Sequence, residues 1–365
     1  MLVFTNIKVV YAEKTNKDNQ SSIWPEGPDV FSDAAIVMDA STGLILYEKN
    51  IHKKYYPASI TKILTTLLAI ENSSLNEIVT FSRNAIFGIE RDSSHIGIDV
   101  GEKLTVEQSL YGIMLESANE VAYGIAEHVA GDMESFADLM NQKAKELGCV
   151  DSHFVNSNGL HNDDHYTSAY DMALISKAAI NNSTFRKVTS TVSYVIPPTN
   201  IQDEYRYLTN HHKMLRDTSY HYEGCIGGKT GYTTISKNTL VTFAKRGDLE
   251  LICVIMHSDG QHQYTDTAEL LDFGFNNYTA YDLTKQSNSN NTDYSPFFTR
   301  YNKLFDKTNT PLMTSTKDLV VLPNSADVNE VTKSITYNSA ALETGINTIG
   351  TITYTYDGKV VGEAD

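Results

Sequence analysis

Ser59 and Lys62 stand three residues apart in Tyr56-Pro57-Ala58-Ser59-Ile60-Thr61-Lys62, at the head of an apolar-periodic run from Ile60 to Ile70. On a helix this spacing puts both side chains on one face, about 5–6 Å apart. A serine hydroxyl is a weak nucleophile until a base takes its proton. A lysine can be that base only when neutral, which at neutral pH asks for a downward pKa shift of roughly three units, about 4 kcal/mol. Burial and a second cation both push in that direction, and Lys229 is the obvious second cation. The helix mouth at Ser59 also offers backbone N–H groups to an oxyanion. Alone, the pair reads more simply as a capping serine and a surface lysine. The apolar residues Ile60, Ile63, Leu64, Leu67 and Leu68 argue otherwise, because they mark the helix as largely buried.

Two further groups follow in the chain. Ser117-Ala118-Asn119 falls between two predicted helices, Val106–Leu115 and Asn119–Ala130. A short loop there can aim both side chains into a cleft, Ser117 to relay a proton and Asn119 to hold a substrate amide. The pattern S-x-N is weak alone, since it recurs at Ser74, Ser82, Ser236 and Ser289. Lys229-Thr230-Gly231 occurs once, on a predicted strand Ile226–Tyr232. Adjacent strand residues point to opposite faces, so Lys229 and Thr230 share a carboxylate only along the strand's edge. Gly231 permits close approach of a ligand backbone, and an extended peptide could pair with that strand.

The elements that must position these residues are mixed in type. Ala34–Met38 and Leu44–Tyr47 read as a hairpin around Ser41-Thr42-Gly43. Helical patterns follow over Met133–Leu147 and Ser168–Ile180. Strands are expected at Tyr194–Ile196, Thr239–Ala244 and Leu249–Met256, then a helix at Thr265–Phe275. Helices are thus bracketed by strands that could pair in one sheet, which is α+β and not an alternating βαβ array. Residues 1–24 read as a leader or residual signal segment with linker, and 25–282 as the domain carrying the motifs. Residues 283–312, with Ser287-Asn288-Ser289-Asn290-Asn291, read as a linker or insertion, and 313–365 as a small β-rich domain.

Composition excludes other classes. The 365 residues carry a net charge of −16, which argues against nucleic acid or an anionic membrane surface as partner. Cys149, Cys225 and Cys253 form no C-x-x-C pair and read as small buried hydrophobes. His161-Asn162-Asp163-Asp164-His165 has the spacing of a zinc pair only on a helix, lacks the glutamate of H-E-x-x-H, and reads as a loop. No cofactor and no metal are expected. No run of 18 apolar residues occurs.

Together these motifs resemble the serine-type D-alanyl-D-alanine carboxypeptidases, the low-molecular-mass penicillin-binding proteins. The similarity extends to Tyr56–Thr65, Leu115–Ala122, Phe154–Leu160 and His165–Asp171, and covers about Pro25 to Tyr281. It implies a β-lactamase/transpeptidase-like domain, an antiparallel sheet covered by helices, plus a small C-terminal all-β domain. It implies that Ser59 attacks the bond between two D-alanines of a peptidoglycan stem peptide, with Lys62 as base and Ser117 as relay. Asn119, Lys229, Thr230, Gly231 and Tyr232 then bind substrate, with the amides of Ser59 and Tyr232 as the oxyanion hole. β-Lactams would acylate Ser59. The implied location is the cell wall or the outer face of the cytoplasmic membrane, with peripheral membrane association left open. A class A β-lactamase would need a loop glutamate, and none lies between Glu146 and Glu204. A D,D-endopeptidase and a non-catalytic penicillin sensor are the other readings. The arginine that helps hold the carboxylate in some relatives is missing from His257–Tyr264.

Overall fold

Ala34–Asp39 is buried at all six positions, so this strand (β1) must lie inside a sheet with both faces covered. The computed structural model describes residues 23–90, 92–285, 318–337 and 348–364. After β1 come β2 (Ile45–Lys49), α1 (Lys62–Asn72), β3 (Ile78–Thr80), α2 (Arg83–Phe87) and β4 (Lys103–Thr105). A helical block follows: α3 (Val106–Leu115), α4 (Asn119–Ala130), α5 (Met133–Glu146), α6 (Ala169–Ile180) and α7 (Ser183–Thr189). Then come β5 (Ser193–Ile196), β6 (Arg206–Thr209), β7 (Cys225–Thr233), β8 (Lys237–Arg246), β9 (Leu249–Ser258), α8 (His262–Asn277) and β10 (Tyr278–Asp282). Last are β11 (Leu319–Pro323), β12 (Thr332–Tyr337), β13 (Gly350–Tyr356) and β14 (Lys359–Ala364).

The central sheet is antiparallel, in the order β2-β1-β9-β8-β7. Strand periodicity sorts its residues between two cores. Ile36, Met38, Val241, Phe243, Ile252 and Val254 face the helical block. Ala35, Val37, Leu251, Cys253 and Ile255 face α8. The expected hairpin is β1–β2, and its turn is fixed by Asp39, whose Oδ1 accepts from Thr42 N at 2.6 Å and Ser41 N at 3.1 Å. β10 pairs with β11, and β12-β13-β14 form a separate three-stranded sheet. This is the α+β architecture with a β-rich C-terminal region. The leader through residue 22 and most of the 283–312 linker lie outside the described residues.

Two local readings differ, and the loop expected at His161–His165 is observed. The helix expected from Ile60 begins as a 3-10 turn over Ala58–Thr61, and α1 starts only at Lys62. Ala58 has φ 52°, a left-handed backbone after Pro57 that tightens this entry. Cys149 and Cys225 are half-buried, and only Cys253 is fully buried. His161 and His165 flank a turn in which Asn162 Oδ1 accepts from Asp164 N at 2.9 Å.

Candidate active site

Three segments converge. The 3-10 turn leading into α1 carries Ser59 and Lys62, the break between α3 and α4 carries Ser117 and Asn119, and the edge strand β7 carries Lys229 to Tyr232. α3 is anchored by a capping box of Thr105 and Gln108 and runs to Leu115. The chain then turns sharply through Ser117, at φ 61°, before α4 opens on Asn119. That left-handed residue breaks the helical path between α3 and α4 and leaves its side chain free to point across the cleft.

Lys62 is fully buried. Its Nζ lies 3.1 Å from Ser59 Oγ, 2.6 Å from Asn119 Oδ1 and 2.6 Å from the Asn158 carbonyl. Burial, seconded by the charge of Lys229, holds its pKa well below the usual lysine value, while Glu120 opposes the shift. Lys229, also buried, donates to Ser117 Oγ at 3.1 Å and to the Thr230 carbonyl at 2.8 Å. Desolvation brings its pKa down to about 7. Two lysine side chains thus approach two hydroxyls, Lys62 at Ser59 and Lys229 at Ser117. Ser59 itself is partly exposed, so a ligand can reach it.

β7 lies hard against the nucleophile turn. A Cβ on Gly231 would fall 2.8 Å from Ser59 N and 2.4 Å from Thr239 Oγ1. Thr239 Oγ1 in turn donates to the Pro57 carbonyl at 2.8 Å. Thr230 is half-buried and the Tyr232 side chain is exposed at the end of the strand. Every site residue singled out from the sequence therefore lies on these three segments.

Several residues had no assigned role from sequence. The Asn158 carbonyl is the third partner of Lys62, and a main-chain acceptor leaves no side-chain signature. Its loop is fixed by Thr65 Oγ1 donating to Ser157 O at 2.6 Å and Ser157 Oγ donating to Ala122 O at 2.9 Å. Gly159, at φ 82°, passes so close to the Ala58 carbonyl that a Cβ would fall 1.9 Å from it. His165 supports the same turn: its Nδ1 accepts from Val155 N at 3.1 Å, so Nε2 donates to Thr61 Oγ1 at 2.9 Å. Burial pushes its pKa down to about 3, and it acts as a neutral brace. His161 instead packs edge-on against Tyr56, with a 4.8 Å ring separation. Below Gly228, the buried His212 donates from Nε2 to Thr242 Oγ1 at 3.0 Å, and burial brings its pKa down to about 4.

In the stretch without arginine, His257 pairs with Asp33, and Gln263 donates to Asn238 Oδ1 at 3.1 Å. Asn238 lies opposite Tyr232 in the β7–β8 ladder.

The sequence profile of D-alanyl-D-alanine carboxypeptidase, peptidase family S11, matches residues 20–260. The D-alanyl-D-alanine carboxypeptidase DacF of Bacillus subtilis is 31% identical over 337 residues, 91% of this chain and 83% of the relative. The D-alanyl-D-alanine carboxypeptidase DacB2 of Mycobacterium tuberculosis is 30% identical over 69% of this chain and 84% of its own length. Among solved structures, a serine-to-alanine mutant of the Streptomyces K15 DD-transpeptidase superposes with a TM-score of 0.64 at 30% identity, covering 68% of this chain and 99% of that one. Penicillin binding protein 6B of Escherichia coli, at 24% identity, shares the fold over 94% of this chain and 96% of its own, with a TM-score of 0.68. The chain belongs to the D-alanyl-D-alanine carboxypeptidase family.

Proposed function

We infer that the protein is a serine D,D-carboxypeptidase that removes the terminal D-alanine from peptidoglycan stem peptides through an acyl-enzyme on Ser59. The observation that carries this reading is the buried Lys62 amino group, 3.1 Å from Ser59 Oγ and held well below its usual pKa. Neutral Lys62 takes the proton as Ser59 Oγ bonds to the carbonyl carbon between the two D-alanines. The proton passes through Ser117 Oγ to the leaving amine, and the C–N bond breaks. Water then attacks the ester, and Ser59 recovers its proton. Lys229 supplies positive charge for the terminal carboxylate, with Thr230 beside it. Asn119 holds the substrate amide and keeps Lys62 aimed. The amides of Ser59 and Tyr232 receive the oxyanion, each such donor being worth roughly 3–4 kcal/mol. Gly231 lets the substrate backbone lie close to the strand.

β-Lactams carry the same carbonyl and carboxylate and acylate Ser59. We place the enzyme outside the cytoplasm, at the wall or the outer membrane face, and treat 25–282 as the catalytic domain and 313–365 as the accessory domain. The test is product analysis on a muropeptide ending in D-Ala-D-Ala. The expected result is free D-alanine from the native protein and none from Ser59→Ala. Undiminished release by Ser59→Ala would sink the mechanism.

A further inference from the structure

Several of the large hydrophobic side chains left exposed among the described residues fall in one stretch of the chain. Val192, Val195, Ile201, Tyr205 and Tyr207 all lie in or beside the β5–β6 hairpin. The hairpin is two-faced in the way strand periodicity demands. Tyr194, Ile196 and Leu208 turn inward, with Tyr194 stacked on Tyr111 at 3.8 Å between rings. Val195 and Tyr207 are directly opposed across the ladder and point outward, 44% and 76% exposed. Tyr205, two residues before Tyr207, is 57% exposed. Side chains paired across a ladder share one face, so this face presents Val195 and Tyr207 to solvent, with Tyr205 exposed just before the strand. An exposed apolar face of this kind is a candidate interaction site.

The hairpin is tied to the segments beside the second motif. On the inner side Arg206 donates to the Ile96 carbonyl at 3.0 Å and to the Gly97 carbonyl at 2.8 Å. Its guanidinium is also held by both oxygens of the buried Glu102, at 2.6 and 3.0 Å. Thr209 N donates to Glu116 Oε1 at 2.6 Å, one residue before Ser117. The same 94–97 loop receives Asn119 N at the Ser94 carbonyl, at 2.9 Å. A cavity of about 400 Å³ runs between hairpin and loop, lined by His95, Gly97, Glu116, Arg206 and Tyr207. Tyr207 thus borders both the outer face and a cavity lined in part by Glu116, the residue before Ser117.

We propose that this hairpin face and its cavity form a docking site for the glycan strand that bears the stem peptide. The proposal rests on the carboxypeptidase reading above. A sugar presents apolar C–H faces and polar hydroxyl and acetamido groups. Tyrosine matches both with an apolar ring and a polar tip at low entropic cost. The imidazole of His95 and the carboxylate of Glu116 supply hydrogen-bond partners in the cavity. The net charge of −16 disfavours an anionic lipid surface as the occupant. A cavity that reaches Glu116, the neighbour of Ser117, favours a ligand that is covalently tied to the reacting peptide.

The test compares native protein with the double variant Tyr205→Ala/Tyr207→Ala, whose deleted side chains are largely solvated. Co-sedimentation with insoluble glycan strands stripped of peptide by amidase is measured first. Native protein is expected to sediment, and the variant to lose most of that binding. The ratio of kcat/KM on polymeric peptidoglycan to kcat/KM on a soluble D-Ala-D-Ala peptide is expected to fall about tenfold. An unchanged ratio, or native protein that binds vesicles of anionic lipid but not stripped glycan, overturns the proposal. Glycan binding by a native protein that releases no D-alanine would instead overturn the carboxypeptidase reading and leave the docking face standing.

Discussion

Lys62 and Lys229 must hold opposite protonation states for the reaction to run. Lys62 accepts a proton only when neutral, and its buried position beside a second cation favours that state. Lys229 attracts a carboxylate only when charged, yet desolvation alone brings its pKa to about 7 in the absence of substrate. Activity should therefore rise with pH through the lowered pKa of Lys62 and fall as Lys229 discharges above about 7. A bell-shaped profile of kcat/KM is expected, and since the lysines interact, its two limbs belong to the pair. Measuring the rate of β-lactam acylation between about pH 5 and 10 checks this. A profile still climbing at the alkaline end would show that Lys229 remains charged and that its burial is offset in solution. Lys62→Ala should lower the acylation rate by roughly 10²–10⁴, the range general base catalysis supplies. Wild-type-like acylation in a folded Lys62→Ala protein would remove Lys62 from the chemistry.

At the scale of elements, the site depends on how tightly β7 and the 156–159 loop press on the turn bearing Ser59. Gly231→Ala places a methyl 2.8 Å from Ser59 N, between strand and turn. Acylation should fall at least tenfold while the circular dichroism spectrum is kept, because the clash sits at the nucleophile and not in the main core. Unimpaired acylation would mean the strand can move away without cost. Gly159→Ala combines a left-handed φ of 82° with a Cβ 1.9 Å from the Ala58 carbonyl. It should destabilise the protein by more than ~1 kcal/mol, the usual cost of that conformation alone, read as a shift of the urea midpoint. These two glycines also show what could be read from sequence. The helical runs of α3, α4, α5 and α6 were legible because their apolar period is local. The three motifs were legible because their side chains do the chemistry. The 3-10 entry at Ala58 and the Asn158 carbonyl were not, because both follow from a loop about 100 residues downstream pressing on the turn. β6 was missed as well: a short strand with an inward-reaching arginine and an outward tyrosine carries too little periodicity to announce itself.

For the molecule as a whole, two buried neutral histidines set its response to acid. His165 and His212 have pKa values of about 3 and about 4 in the folded state. In the unfolded chain both titrate near ~6.5. Below that value the unfolded state binds protons that the folded state refuses, so stability falls as pH drops from ~6.5 towards those lower values. The loss should be roughly 2 kcal/mol per histidine by pH 5, visible as a falling urea midpoint; a midpoint flat between about pH 7 and 5 would refute it. The second core makes a separate claim about cooperativity. It runs without a break from Val37, Leu251 and Ile255 on the back of the central sheet to Val320, Leu322, Tyr354 and Val361 of the C-terminal strands. β10 carries the connection, following α8 and pairing along its length with β11. Trp24 clasps the far end: its Nε1 donates to Asp357 Oδ2 at 2.9 Å, its ring meets Tyr356 edge-on, and Lys359 Nζ lies 4.4 Å above it. A shared core ties the two regions' folding together more firmly than a linker can. Calorimetry should therefore show one unfolding transition, with calorimetric and van't Hoff enthalpies in agreement. Trp24→Ala should shift that single transition downward by about 2 kcal/mol of stability, less than the cost of deleting a fully buried Trp. Two resolved transitions, with only one moved by Trp24→Ala, would mean that the C-terminal strands fold as an independent unit and that the shared core contributes little to holding them.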